Sequence, residues 1–131
     1  MKSHNDLKVY QETMDLGVET YKITNSFPSI EKYGLTSQMR RAAVSIPSNI
    51  SEGAARESKK EFKRFLYISL GSATELETQI DISARLQYID HTIALKDKIF
   101  CNKTNVNQTY PNVKRQSCRL TNSRIHQFTN P

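Results

Sequence analysis

The stretch SKKEFKRFLYISLGSATELETQIDISARLQY, residues 58–88, decides the fold. It opens on Ser58 with Glu61 three residues later, the spacing of a capping box in which each side chain satisfies the other's backbone N–H. No proline follows before Tyr88. Phe62, Leu66, Ser69, Ala73, Leu76 and Ile80 recur at alternating steps of four and three, which sets them on one side of an α-helix. Phe65, Ile68, Ser72, Glu75, Gln79, Ile82 and Leu86 form a second line beside them. About thirty helical residues make a rod of roughly 45 Å, too long for one short partner to cover. At least two long neighbours are implied.

Upstream, the sequence supplies two. A first helix is expected from about Asp6 to Thr24, capped by Asn5 or Asp6, with Leu7, Tyr10, Met14, Gly17, Val18 and Tyr21 on its apolar face. Asn25-Ser26-Phe27-Pro28 ends it, because proline disfavours helical geometry in the preceding residue. A second helix begins after Gly34, with Leu35, Met39, Ala42, Ala43, Ile46, Ile50 and Gly53 as its stripe. Pro47 falls inside it and predicts a kink, since the apolar phase continues on both sides. Gly53 marks its end.

Downstream the pattern fades. Asp90 is placed to cap a short helix through Ile93, Leu95 and Phe100. Residues 101–131 are rich in Asn, Thr, Gln and Ser and are expected to be poorly ordered or irregular. The expected organisation is a helical bundle domain over 1–100 followed by a tail over 101–131. The charge divides the same way: 1–100 hold 14 Lys and Arg against 13 Asp and Glu, whereas 101–131 hold five basic residues and no acid. The tail makes the chain basic.

Composition excludes several classes. No apolar run approaches the ~20 residues of a membrane span. The start, Met1-Lys2-Ser3-His4-Asn5-Asp6, has no apolar segment behind it, so a secretory signal is not expected. Cys101 and Cys118 lack a CxxC or histidine context, which fits thiols in a reducing cytoplasm and not a metal site. His4, His91 and His126 are scattered, the four glycines are isolated, and Ser45, Ser48 and Ser51 have no histidine nearby. No catalytic arrangement and no cofactor are expected. Hydrophobic residues make up 37% of the chain and tryptophan is absent, so the core of one copy is thin, which points toward burial against further copies.

Two groups of residues carry the remaining functional content. Arg56, Lys59, Lys60, Lys63 and Arg64 form the densest basic cluster, and on a helix Arg56, Lys60, Lys63 and Arg64 fall on one side as a cationic strip suited to phosphate contact. Glu57 and Glu61 are interleaved with it, as on an ordinary solvated face. Glu75 and Gln79 lie among apolar neighbours, and a carboxylate there needs a partner. Arg40 and Arg41 are the expected partners, and with Asn49 and Glu52 they complete a polar network that is structural or lies at a subunit interface.

The strings YGLTSQMRRAAVSIPSNISEG (33–53), LGSATELETQ (70–79) and DLKVYQ (6–11) resemble, in order, the signatures of the bacterial four-helix bundle family of proteins encoded in the intervening sequence of large-subunit ribosomal RNA genes. The resemblance implies an all-α, antiparallel up-down four-helix bundle, commonly a ring-shaped homopentamer, without enzymatic activity. A related member, the accessory variability protein of diversity-generating retroelements, binds nucleic acid through a basic surface. After about Asp90 the chain departs from the family pattern, so the fourth helix is expected to be truncated or replaced. The expected function is a non-enzymatic oligomeric scaffold of the bacterial cytoplasm that binds RNA or DNA. The second reading is a protein–protein adaptor.

Overall fold

A computed structural model describes residues 7–90 and 93–109. Four helices are present: α1 (Lys8–Thr24), α2 (Leu35–Ala54), α3 (Lys59–Arg85) and α4 (Ile93–Thr109), with a 3-10 turn at Ser29–Glu31. Cross-contacts fix their directions. Arg40 of α2 meets Thr24 of α1, and a methyl group built on Gly17 would lie 3.9 Å from the Ala43 carbonyl oxygen, so α1 and α2 are antiparallel. Ser69 bonds back to Ile46 and Ser83 to Met39, which makes α3 antiparallel to α2. Lys98 meets Glu19, Asn105 meets Glu12, Lys103 meets Glu77 and Lys96 meets Asp81. The last helix therefore runs antiparallel to both α1 and α3. The fold is an up-down four-helix bundle.

Helix α3 starts where the sequence places it. Ser58 Oγ accepts from the Glu61 backbone N–H at 3.3 Å, while the Glu61 carboxylate turns to Arg64. Leu66, Ser69, Ala73, Leu76 and Ile80 are buried as the four-three spacing requires. The second line splits: Phe65 and Gln79 are buried, whereas Ile68, Glu75, Ile82 and Leu86 face outward. Helix α2 runs through Pro47 to Ala54 as one element, with Pro47 buried.

Two expectations are corrected. The inward face of α1 is not the Tyr10-Met14-Gly17-Val18-Tyr21 stripe but Val9, Thr13, Leu16, Thr20 and Thr24. Burial of threonine is tolerated here because each hydroxyl donates to its own helix: Thr13 to Tyr10 O, Thr20 to Leu16 O and Thr24 to Thr20 O, all at 2.8 Å. The proposed caps Asn5 and Asp6 lie outside the described residues.

The fourth helix is also longer than expected. The boundary at residue 100 falls inside α4, which continues to Thr109, and Leu95, Ile99, Asn102 and Val106 form its buried line. Ile99, not Phe100, points to the core. The Asn- and Thr-rich composition conceals the register because one of its four core positions is an asparagine. The rest of the expected tail, 110–131, lies outside the described residues. No described helix is long and apolar enough to cross a membrane.

Candidate nucleic-acid interface

The basic strip sits where the loop after α2 turns into α3. Its anchor is Phe65, which is buried against Gly53 at the end of α2. The guanidinium of Arg56 lies 5.4 Å from the Phe65 ring centre and that of Arg64 lies 5.7 Å from it. One ring thus gathers two cations from different parts of the chain. Each arginine also has a single exposed acidic neighbour, Glu52 at 3.6 Å from Arg56 and Glu61 at 3.3 Å from Arg64. Such pairs contribute at most about 1 kcal/mol and open readily.

Lys59, Lys60 and Lys63 have no carboxylate partner among the described residues. Lys60, Lys63 and Arg64 line a shallow pocket of about 440 Å³ together with Tyr67 and Ile68. Tyr67 is 48% exposed and was not part of the sequence-predicted strip. Its signal was present: it follows Lys60 by seven residues and Lys63 by four, so it shares their side of the helix. Cations beside an exposed aromatic can hold a phosphate and a base face together.

The expected polar network resolves into separate groups. Arg40 turns to the C-terminal end of α1, donating to Thr24 Oγ1 at 2.9 Å and to Asn25 Oδ1 at 3.0 Å, with its guanidinium 4.6 Å over the Tyr21 ring. Asn49 donates to Ser45, whose hydroxyl lies 2.8 Å from that of Ser72 across the α2–α3 seam. Glu52 serves Arg56. Among the described residues the expected Arg–Glu pair does not form: Glu75 accepts from Gln79 at 3.3 Å, and Arg41 is exposed. Both side chains are exposed, where an ion pair contributes little.

At the far end of the bundle, Tyr88 donates to Glu31 Oε1 at 3.4 Å. Burial, and then the Glu31 charge and hydrogen bond, hold its phenol above the usual tyrosine range. Among the described residues no group of three or more His, Cys, Asp or Glu side chains could hold a metal ion.

Comparison with known proteins agrees with this architecture. A solved structure of a protein with unknown function from the S23 ribosomal protein family of Bacteroides thetaiotaomicron VPI-5482 superposes with a TM-score of 0.70 at 21% identity, covering 81% of this chain and 98% of that one. At that identity the likeness concerns the fold. No curated protein matches. The model of the 23S rRNA-intervening sequence protein family matches residues 5–108, almost the whole described bundle, and the chain belongs to that family.

Proposed function

We propose that the protein is a non-enzymatic, self-associating helical scaffold of the cytoplasm that binds RNA or DNA through Arg56, Lys59, Lys60, Lys63 and Arg64. The observation that carries this reading is the pair Lys60 and Lys63, without carboxylate partners among the described residues, lining one shallow pocket with Arg64 and the exposed Tyr67. Phosphate contact supplies the counter-charge that these lysines lack, and the affinity it gives falls steeply with salt. Assembly as a homo-oligomer, a ring of five in the pattern the resemblance implies, repeats the strip and adds avidity without new contacts. Electrophoretic mobility shifts across a salt series test the reading. Binding that weakens with salt, and again in the Lys60→Glu/Arg64→Glu double variant, supports it; no shift at low salt discards it.

A second reading, a protein–protein adaptor, draws on a different observation. The α1–α2 groove, about 650 Å³, is lined mostly by apolar side chains and faces outward. Mobility shifts that are absent while the groove still engages a protein would favour the adaptor.

A further inference from the structure

The pocket on α3 offers more than charge. Lys60, Lys63 and Arg64 line it together with Tyr67 and Ile68, which are 48% and 41% exposed. Phosphate contact needs only the cations; a ring and a branched aliphatic side chain beside them offer a surface to something flat and apolar. Other aromatic rings are committed. Phe65 is buried with Arg56 and Arg64 over its ring, and Phe62 packs against the core. Tyr21 lies under Arg40, and Tyr33 stands beside Lys32 at the opposite end of the bundle. Tyr67 is an open ring flanked by three cations of its own helix.

The uncompensated charge is also narrow. Arg56 and Arg64 each have a carboxylate neighbour, Glu52 and Glu61. Lys60 and Lys63 carry the rest of the pocket's charge, and residues at that spacing stand about 5–6 Å apart on a helix. A major groove is roughly 12 Å wide, so the pair does not answer the two phosphate rows that border one. Nor is α3 free to enter such a groove. Its start is packed against Gly53 at the end of α2, and further along it is held by Ser69 bonding to Ile46 and by the Lys103–Glu77 pair with α4. A duplex keeps its base faces stacked inside, whereas a single strand can turn them outward.

We propose that this pocket takes one unpaired base of a single strand of RNA or DNA against Tyr67 and Ile68, with Lys60 and Lys63 on the flanking phosphates, so that the protein prefers a single strand to a duplex. This rests on the nucleic-acid reading above and names the form of its ligand. The pocket volume of about 440 Å³ lies within the roughly 300–1,000 Å³ of sites that hold small-molecule-sized groups. Every base has a face that stacks on an aromatic ring, so the preference for a single strand comes without a preference for sequence.

The test is fluorescence anisotropy on the full chain at one low salt concentration, with labelled probes about twelve nucleotides long. The probes are a thymine DNA strand, a uracil RNA strand, each of these in duplex with its adenine complement, and a DNA strand without bases. Both single strands are expected to bind about tenfold tighter than their duplexes, and the strand without bases about tenfold weaker than the thymine strand. Tyr67→Ala removes both differences and leaves duplex binding unchanged. Tyr67→Phe keeps them, because the ring remains, and circular dichroism checks that both variants retain the helix content. A preference confined to RNA or to DNA supports the pocket and identifies its strand. Equal binding of all probes, or tighter binding of the duplexes, overturns the base pocket and leaves the phosphate reading standing. A single-strand preference that survives Tyr67→Ala overturns the assignment to Tyr67. No binding of any probe overturns both the pocket and the reading it rests on.

Discussion

A methyl group built on Gly53 would lie 2.6 Å from Cβ of Phe65 and 3.0 Å from Cδ2 of Phe62. The end of α2 thus passes the start of α3 at a distance that only glycine permits. Alanine would favour the helix by up to about 1 kcal/mol. Overpacking against Phe65 near its backbone costs about 1–3 kcal/mol, and it wins because a β-carbon cannot swing aside. Gly53→Ala is therefore expected to lower the urea midpoint without changing the slope of the transition. Since Phe65 anchors Arg56 and Arg64, the same variant should weaken nucleic-acid binding.

Arg40 joins α1 to α2 with two side-chain bonds and a stacked ring. Replacement by methionine keeps the stem but leaves Thr24 and Asn25 without their shared donor. A hydrogen bond from a charged group contributes about 1.5–3 kcal/mol when buried, and partial exposure reduces this toward 1. Arg40→Met should melt several degrees lower. Arg40→Lys should recover little of the loss, because a lysine cannot donate in a fork and stack at once. Equal melting temperatures for wild type and Arg40→Met would rule out this joint.

Helices α2 and α3 were legible because Leu66, Ala73, Leu76 and Ile80, and likewise Met39, Ala43, Ile46 and Ile50, are both apolar and inward. Helix α1 was misread in orientation because hydrophobicity ranks Tyr10, Met14 and Tyr21 above threonines, and a threonine bonded to its own helix does not announce itself as core. Helix α4 was misread in length because Asn102 holds a core position. The basic strip was visible as a charge run. Its aromatic neighbour Tyr67 and the ring of Phe65 between two arginines belong to tertiary placement, which periodicity does not weigh. Glu31 was missed for the same reason. One carboxylate oxygen caps α2 at the Leu35 N–H, 2.9 Å away, while the other meets Tyr88, 57 residues later.

That Tyr88–Glu31 contact predicts a pH dependence. The phenol is held above its ordinary value of 10.0 in the folded state, so the folded protein keeps the proton longer than the unfolded chain. The stabilisation is fully present below pH ~10 and is lost as pH rises through the higher folded-state value. Stability measured by urea denaturation should therefore decline above that pH. In Tyr88→Phe the decline should be shallower. An unchanged alkaline profile in this variant would remove Tyr88 as its source.

The salt dependence of nucleic-acid binding gives a count of contacts. Each phosphate neutralised contributes about 0.7–0.9 to the slope of log affinity against log salt. Lys60→Ala and Lys63→Ala should each reduce the slope by roughly one such step, and Tyr67→Ala should lower affinity while leaving the slope unchanged, since stacking releases no counterion. A slope that ignores both lysine substitutions would place the contacts elsewhere.

Truncation distinguishes a tail beginning at residue 101 from a helix that ends at Thr109. A chain ending at 109 retains Asn102 and Val106 in the core, the Lys103–Glu77 bond of 2.7 Å and the contact between Asn105 and Glu12. A chain ending at 100 loses all of them and opens the core beside Leu16 and Ile99. Burial of one valine contributes about 1.5–3 kcal/mol, and the uncovered neighbours add to the loss. The 1–100 chain should therefore lose more helix signal than its nine missing helical residues account for, and should unfold at a clearly lower urea concentration. The 1–109 chain should match full length in midpoint. Equal midpoints for 1–100 and 1–109 would instead mean that the last two turns of α4 contribute nothing to the bundle, and that the domain ends at residue 100.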